Sequence, residues 1–230
     1  MPKLRSRSPI LRCKQAELDV QDLTGLLRIN WKVGSLTLYS AFYTRIDQIF
    51  VVWGVICFAI FATAQFAYIS WHVQAIVWSI ATVLGSACMT RFAWYWVRVE
   101  SLRWVVYLWG ALMCGGLAVT DYSIFAGWGP GLVNLCPLWL GLSALGYVVT
   151  GIGMQSRTFG IAGALHGLGI AVLSWAPGWQ FGLTGAIVAG TLLFLAEVQW
   201  DMRSPQVSTV LTEAERAFNQ QQQRLREKLP

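Results

Sequence analysis

Charged residues are scarce in this sequence, and their scarcity excludes an ordinary soluble domain. Asp, Glu, Lys and Arg make up 12% of the 230 residues, whereas a soluble globular domain carries about 25%. The stretch between Asp47 and Arg203 is interrupted by eight charged residues, namely Arg91, Arg98, Glu100, Arg103, Asp121, Arg157, Glu197 and Asp201. The apolar runs between them are of the length that predicts membrane-spanning helices.

Residues that bind metals or form disulfides are also few. The chain has five cysteines and two histidines, and the cysteines form no C-x-x-C pair, so neither a zinc site nor a disulfide framework is predicted. The basic first 14 residues are not followed by a short apolar run with a small-residue cleavage site. A cleaved signal peptide is therefore not expected.

Six apolar segments predict an all-α, polytopic membrane protein, because lipid cannot satisfy the polar groups of irregular backbone. They cover residues 49–71, 73–90, 104–120, 132–153, 158–177 and 179–199. We therefore predict a six-transmembrane helical bundle with an interfacial N-terminal helix and a short cytoplasmic C-terminal helix. The predicted organisation is a basic N-terminal segment at 1–48, a transmembrane domain at 49–203 and a helical tail at 204–230.

The basic residues predict the orientation of the bundle. All 17 Lys and Arg residues fall on one side of the six segments. They lie in the two tails, in the second link at 91–103 and at Arg157 in the fourth link, while the other three links contain none. The positive-inside rule assigns that side to the cytoplasm. We expect a multi-pass protein of a bacterial-type inner membrane, or of another energy-transducing membrane, with both termini cytoplasmic.

The N-terminal segment has the pattern of a surface helix. Residues 15–30 place Leu18, Leu23, Leu26 and Leu27 with helical spacing, which favours an amphipathic helix lying on the membrane. The basic residues before it favour contact with anionic lipid. Because membrane attachment accounts for these charges, we expect no nucleic acid as a partner.

The C-terminal tail opens with a capping-box spacing and carries a short apolar stripe. Leu211, Phe218 and Leu225 recur every seven residues, but two heptads are too few to predict a coiled coil. Three roles stay open for residues 205–230: binding a protein partner, pairing with a second copy of the chain, or forming a solvated helix.

His166 is the one ionisable side chain of the ion-coupling type at membrane depth in the predicted spans. Three roles are open to it: an axial ligand of haem or chlorophyll, the base of a hydrolytic dyad with Ser143, or a neutral polar contact between the fifth and fourth spans. We favour the third, since Ser143 lies at about the same depth and no carboxylate is near. The sequence thus predicts a hydrogen bond between these two residues, and no catalytic residue, metal or cofactor.

Small residues recur at helical spacing on the fifth and sixth spans, which predicts close helix packing. The stripes consist of Gly163, Gly167, Ala171, Gly182, Gly185, Ala186, Ala189 and Gly190. Because His166 shares a helix face with the first two glycines, we expect it to face a neighbouring helix.

The pattern favours a protein that is not an enzyme. Coupled transporters and pumps place charged residues near the membrane midplane, and these spans have none there. The leading prediction is a scaffold or assembly component of a larger membrane complex. The alternative is a channel or carrier for a small neutral or apolar solute, with a polar cavity formed by Gln65, Ser143, Thr150 and His166.

Overall fold

Six long apolar helices form the body of the protein, as the sequence predicts. The computed structural model describes residues 9–203 and 208–228, and six helices within these ranges are long and apolar enough to cross a membrane. A 3₁₀ turn, Leu173–Trp175, continues the fifth of them. In chain order the elements are β1 (Leu11–Arg12), α1 (Val20–Leu23), β2 (Leu27–Val33), β3 (Leu36–Tyr43), α2 (Arg45–Phe66), α3 (Trp71–Val99), α4 (Arg103–Phe125), α5 (Gly129–Val133), α6 (Leu135–Met154), α7 (Arg157–Val172), α8 (Gln180–Glu197), β4 (Gln199–Trp200) and α9 (Glu213–Lys228).

Local capping residues place the helix ends a few residues away from the predicted boundaries. The Thr44 hydroxyl accepts a hydrogen bond from the Asp47 N–H, and the Asp47 carboxylate accepts one from the Thr44 N–H. This capping box starts α2 at Arg45 rather than at the predicted residue 49. The link between the first two spanning helices lies at 67–70, so His72, which falls between the predicted segments 49–71 and 73–90, is instead the second residue of α3.

The six spanning helices pack as a bundle with both tails at one end. Helix α2 lies along α8, α6 along α7, and α3 along α2 and α4. Strands β1 and β4, which precede α2 and follow α8, pair antiparallel. The end of the bundle that carries this pair is here named the terminal end, and the opposite end the far end. The largest apolar core includes Trp53, Met89, Trp96, Met113 and Tyr147.

The predicted surface helix at 15–30 is wrong. In this range α1 alone is helical, and β2 forms an antiparallel hairpin with β3. Side chains from Leu27 to Val33 alternate between apolar and polar, which is the period of a strand. Gly25 and Gly34 take positive φ angles of 73° and 60° at the two ends of β2, a conformation that ends a helix and suits glycine. The basic residues before residue 9 lie outside the described residues.

The C-terminal helix is confirmed as α9, and it packs against its own chain. Its predicted capping box is present, since the Glu215 carboxylate accepts from the Thr212 N–H at 2.8 Å and the Thr212 hydroxyl accepts from the Glu215 N–H at 3.3 Å. Asn219 Oδ1 accepts from the first backbone N–H of α1 at 2.8 Å. Arg226 forms an ion pair of 2.8 Å with Asp19. These contacts hold α9 on the N-terminal segment.

Asp201 ties the chain that follows α8 to the start of α7. Its buried carboxylate accepts five hydrogen bonds of 2.8–3.1 Å, from the hydroxyls of Ser156 and Thr158, the N–H groups of Arg157 and Thr158, and the Arg157 guanidinium. The first turn of a helix leaves such N–H groups without partners, and its dipole favours a negative charge there. Burial alone would raise the pKa of Asp201, but these hydrogen bonds outweigh it and lower the pKa to about 2.

Candidate functional site

A long apolar cavity lies between α2, α3, α4 and α6. Its volume is about 170 Å³, and its lining extends from Trp96 and Leu102 at the terminal end to Ser79 and Asp121 at the far end. Most of the lining is carbon. Six tryptophans contribute to it, namely Trp53, Trp78, Trp96, Trp109, Trp139 and Trp200.

One of these tryptophans joins α4 to α6 across the cavity. The Trp109 ring lies directly on Gly146, because a Cβ atom at this glycine would come within 2.7 Å of the indole. The Trp109 N–H donates to the Thr150 hydroxyl at 3.2 Å, one helical turn further along α6. Gly146 leaves space for the indole ring, and the Thr150 hydroxyl accepts the hydrogen bond from the indole N–H.

A second tryptophan makes the same contact in the opposite direction. The Trp139 ring of α6 lies on Gly116 of α4, again 2.7 Å from where a Cβ atom would stand, and its N–H donates to the Thr120 hydroxyl at 3.2 Å. Since α4 and α6 are antiparallel, a local two-fold axis relates the two contacts. The six residues that make them are named the tryptophan clasp.

The signal for the clasp is a repeat in the sequence. Residues 109–120, WGALMCGGLAVT, and residues 139–150, WLGLSALGYVVT, share tryptophan at the first position, glycine at the eighth and threonine at the twelfth. Positions i, i+7 and i+11 lie on one face of a helix. The repeat therefore shows, without any structure, that both helices present a ring, a gap and a hydroxyl on one side.

Two further tryptophans have their nitrogens engaged at the ends of the cavity. The Trp78 N–H donates to the Thr63 hydroxyl at 3.0 Å, and the Trp96 N–H donates to the Asp22 carboxylate at 3.0 Å. Four of the six indoles thus have their N–H bonded to another side chain of the protein and offer carbon to the cavity. A surface of this kind suits an apolar molecule, because a polar one would lose its hydrogen bonds to water on entry.

Three hydroxyl groups are still available in the lining. Those of Thr82, Ser143 and Tyr147 make no hydrogen bond to the described residues. At the far end, the Ser79 hydroxyl lies 3.0 and 2.9 Å from the two carboxylate oxygens of Asp121, which is the one charged side chain among the described lining residues. The cavity therefore combines an apolar wall with a few polar atoms to which one polar group of a bound molecule could bond.

The structure brings together two of the four residues of the predicted polar cavity. Ser143 and Thr150 line the cavity. Gln65 lies instead at the far end of α2, where its amide donates to the Gly178 carbonyl at 2.8 Å and accepts from the Gly182 N–H at 2.9 Å. It ties α2 to the turn before α8, so its role in the fold is a structural one.

His166, the fourth residue, is fully buried but does not bond Ser143. Its Nδ1 lies 2.8 Å from the Ala162 carbonyl oxygen on the preceding turn of α7. Its ring packs on Tyr147, with the ring centroids 5.0 Å apart, and its Nε2 has no partner among the described residues. The predicted hydrogen bond to Ser143 is therefore wrong, although the histidine does face a neighbouring helix.

The small residues of α7 and α8 divide into packed and outward-facing positions. Gly163 meets Val148 of α6, and Gly185 meets Phe61 of α2, since a Cβ atom at either glycine would come within 2.6 Å of the neighbouring side chain. Gly182 and Ala189 are also covered by the bundle. The exposed members of the predicted stripes are Gly167, Ala171, Ala186 and Gly190. Close packing therefore follows only part of the small-residue pattern.

A group of carboxylates lies beside the terminal end of the cavity. Asp22 accepts from the cavity residue Trp96, and Glu100 accepts from the Gln21 amide at 2.9 Å. Burial, and then the negative charge of Asp19, raises the pKa of Asp22 to about 7. Burial also raises the pKa of Asp19 and of Glu100. This group is named the acidic cap; no three His, Cys, Asp or Glu side chains of the described residues are placed to hold a metal ion.

No protein-family model matches the chain, and no curated protein or solved structure matches it. The cavity and the residues around it are therefore the basis on which a function can be inferred.

Proposed function

We propose that this protein binds and carries an elongated apolar molecule, which it holds between α2, α3, α4 and α6. The observation that supports this proposal is the tryptophan-lined cavity, in which four indole N–H groups are bonded to other residues. A pore for ions needs rings of carbonyl or charged groups, whereas this lining has one charged side chain, Asp121, among the described residues. A hydrocarbon suits such a wall better than an ion or a sugar.

The dimensions of the cavity suggest the shape of the molecule. An engineered protein cavity of about 150 Å³ with apolar walls stays dry and binds benzene or xenon, so a space of about 170 Å³ is large enough for a small hydrocarbon. Both Val106 and Asp121 belong to the lining, and α4 rises about 22 Å between them. Because the lining residues extend along the helices while the volume stays small, the space favours a slender linear hydrocarbon, such as an acyl or isoprenoid segment, over a wide, ring-fused molecule.

A binding titration with a conjugated-polyene fatty acid, cis-parinaric acid, tests the proposal. In mild detergent, energy transfer from the tryptophans to the polyene should saturate at about one molecule per chain. Ser143→Phe places a ring inside the cavity and should weaken binding roughly tenfold or more. Leu145→Phe, at a half-exposed position on the same helix, is the matched control and should bind like the wild type. Unsaturable signals of equal size in all three proteins would refute the proposal.

We also propose that both termini are cytoplasmic, in a bacterial-type inner membrane or another energy-transducing membrane. The far-end turns at 67–70, 126–134 and 176–179 contain no Lys or Arg, which fits the positive-inside rule. Tyr68 is fully exposed at the far end, and Glu213 is exposed at the terminal end. In intact cells without reactive native cysteines, Tyr68→Cys should be labelled from outside and Glu213→Cys should not. The reverse labelling would contradict the orientation.

A scaffold function is the second candidate, and α9 is the observation that favours it. This polar helix lies outside the bundle, and Leu225, the last residue of its apolar stripe, is 41% exposed. An exposed leucine at the end of a docked helix offers a protein partner an attachment point. Because α9 packs against α1, a partner would bind a surface that both helices form.

A further inference from the structure

The β2–β3 hairpin separates apolar from polar side chains on its two faces. Trp31 pairs with Tyr39 and Ile29 with Ala41, and paired residues point to the same face of a sheet. The rings of Trp31 and Tyr39 are 6.4 Å apart, as this requires. One face therefore carries Leu27, Ile29, Trp31, Val33, Leu36 and Tyr39. The other carries Arg28, Asn30, Lys32, Thr37 and Ser40, with Phe42 opposite Arg28 at the base of the hairpin, and a bulge leaves Leu38 without a cross-strand partner.

The apolar face of the hairpin is uncovered towards its tip within the part of the chain that the structure describes, whereas Tyr43 at its base is buried. Trp31, Val33 and Leu36 are 68%, 66% and 63% exposed. An isolated two-stranded hairpin is at best marginally stable in water, and an exposed apolar patch of this kind marks a contact surface. Exposure of this kind favours contact with a further surface.

The base of the hairpin lies where the spanning helices begin and end. The Gln48 amide on the first turn of α2 donates to the carbonyl oxygens of Gly25 and Tyr43 at 2.9 and 3.0 Å. The Tyr43 hydroxyl donates to the Glu197 carboxylate at the end of α8 at 2.6 Å. These bonds fix the hairpin at the boundary between the membrane-spanning helices and the terminal segments.

We propose that the hairpin lies on an anionic bilayer surface as an amphipathic β-ribbon. Trp and Tyr are the side chains typical of the membrane–water interface, and here they stand in the centre of the apolar face. Arg28 and Lys32 on the opposite face extend to the lipid phosphates in the way that long basic side chains of interfacial helices do. The hairpin thus does what the sequence assigned to a surface helix, and the inference is independent of the cavity.

The test compares two neighbouring positions on opposite faces of the hairpin. Single cysteines at Val33 and Lys32, in full-length protein whose five native cysteines are replaced by alanine, carry an environment-sensitive NBD label. The protein is placed in nanodiscs of phosphatidylcholine with phosphatidylglycerol, with and without lipids brominated on the acyl chain. Quenching by bromine should be several-fold stronger at residue 33 than at residue 32, and the emission of the label at residue 33 should shift to the blue.

The second part of the experiment removes the two basic charges of the hairpin. Arg28→Gln together with Lys32→Gln should reduce the quenching at residue 33, since each basic residue near an anionic surface strengthens attachment about fivefold. The reduction should vanish in nanodiscs of phosphatidylcholine alone. Equal, water-like emission at residues 32 and 33 in protein with an unchanged melting temperature would overturn the proposal. Cross-linking of Val33→Cys between two chains in one nanodisc would overturn it in favour of a second copy.

Discussion

Replacing Asp201 with asparagine should destabilise the bundle by about 2 kcal/mol at pH 7. The carboxylate holds the start of α7 through five hydrogen bonds, two of them from backbone N–H groups. Its pKa falls from 3.8 to about 2, and one pKa unit corresponds to about 1.4 kcal/mol. Asparagine keeps the shape of the side chain but loses its charge and replaces one acceptor oxygen with an NH₂ donor, so the variant removes the charge together with the hydrogen bonds to that oxygen.

The pH dependence of the effect has a definite sign. A carboxylate whose pKa is lowered by folding stabilises the protein above its unfolded pKa, near 4, and this stabilisation is lost as the pH falls towards 2. The free energy of unfolding, measured by SDS titration in mild detergent, should differ between wild type and Asp201→Asn by about 2 kcal/mol at pH 7 and by progressively less below pH 4. An equal free energy of unfolding at pH 7, or a difference that does not shrink in acid, would refute this account of the α7 start.

Three other variants test separate parts of the structure. Burial and the charge of Asp19 raise the pKa of Asp22 to about 7. The contribution of Asp22 to the stability of the folded state is therefore complete below pH 4 and is lost as the pH rises through 7. Melting temperatures at pH 5 and 8 should differ less in Asp22→Asn than in wild type. His166→Leu should change stability by less than about 1 kcal/mol and leave the absorption spectrum unaltered, because Nε2 has no partner among the described residues; a lost absorption band would make this histidine a pigment ligand. Deleting residues 205–230 should leave the spans folded and remove any co-purifying protein, while unchanged partners in a pull-down would exclude a role of the tail in binding.

Hydropathy and charge were sufficient to predict the bundle, since they depend on long segments rather than on single contacts. The number of spans and the C-terminal helix follow from them, and the boundaries differ by the few residues that local caps such as Thr44 decide. The hairpin was missed because four leucines at helical spacing outweighed the shorter alternation from Leu27 to Val33. An exposed strand and a surface helix both mix apolar with charged residues, and over so few residues only the period, two for a strand and 3.6 for a helix, separates them.

The direction of a side chain around its helix could not be predicted from its depth. Ser143 and His166 were expected to bond because they lie at about the same height. Helix α7 packs on the face of α6 that contains Ala144 and Val148, where Gly163 meets both, and Ser143 is about 100° away from Ala144 on a helix. It therefore lines the cavity, and Tyr147 meets the histidine instead.

The apolar cavity could not be predicted from the sequence, although the sequence contains a signal for part of its wall. The repeated Trp, Gly and Thr positions at 109–120 and 139–150 are visible without a structure. That the two sets meet across one space depends on α4 and α6 being neighbours, which is a tertiary contact. The sequence pattern predicted a cavity formed by polar residues, whereas most of the cavity wall is indole and aliphatic carbon.

We propose that an apolar molecule occupies the space between α2, α3, α4 and α6. The most direct measurement is mass spectrometry of the organic extract of protein purified from its own membrane in mild detergent. We expect one hydrocarbon-rich species near one molecule per chain in wild type and in Leu145→Phe, and its loss from Ser143→Phe. An extract of wild type that contains bulk lipid alone, in the same proportions as that of Ser143→Phe, would contradict it.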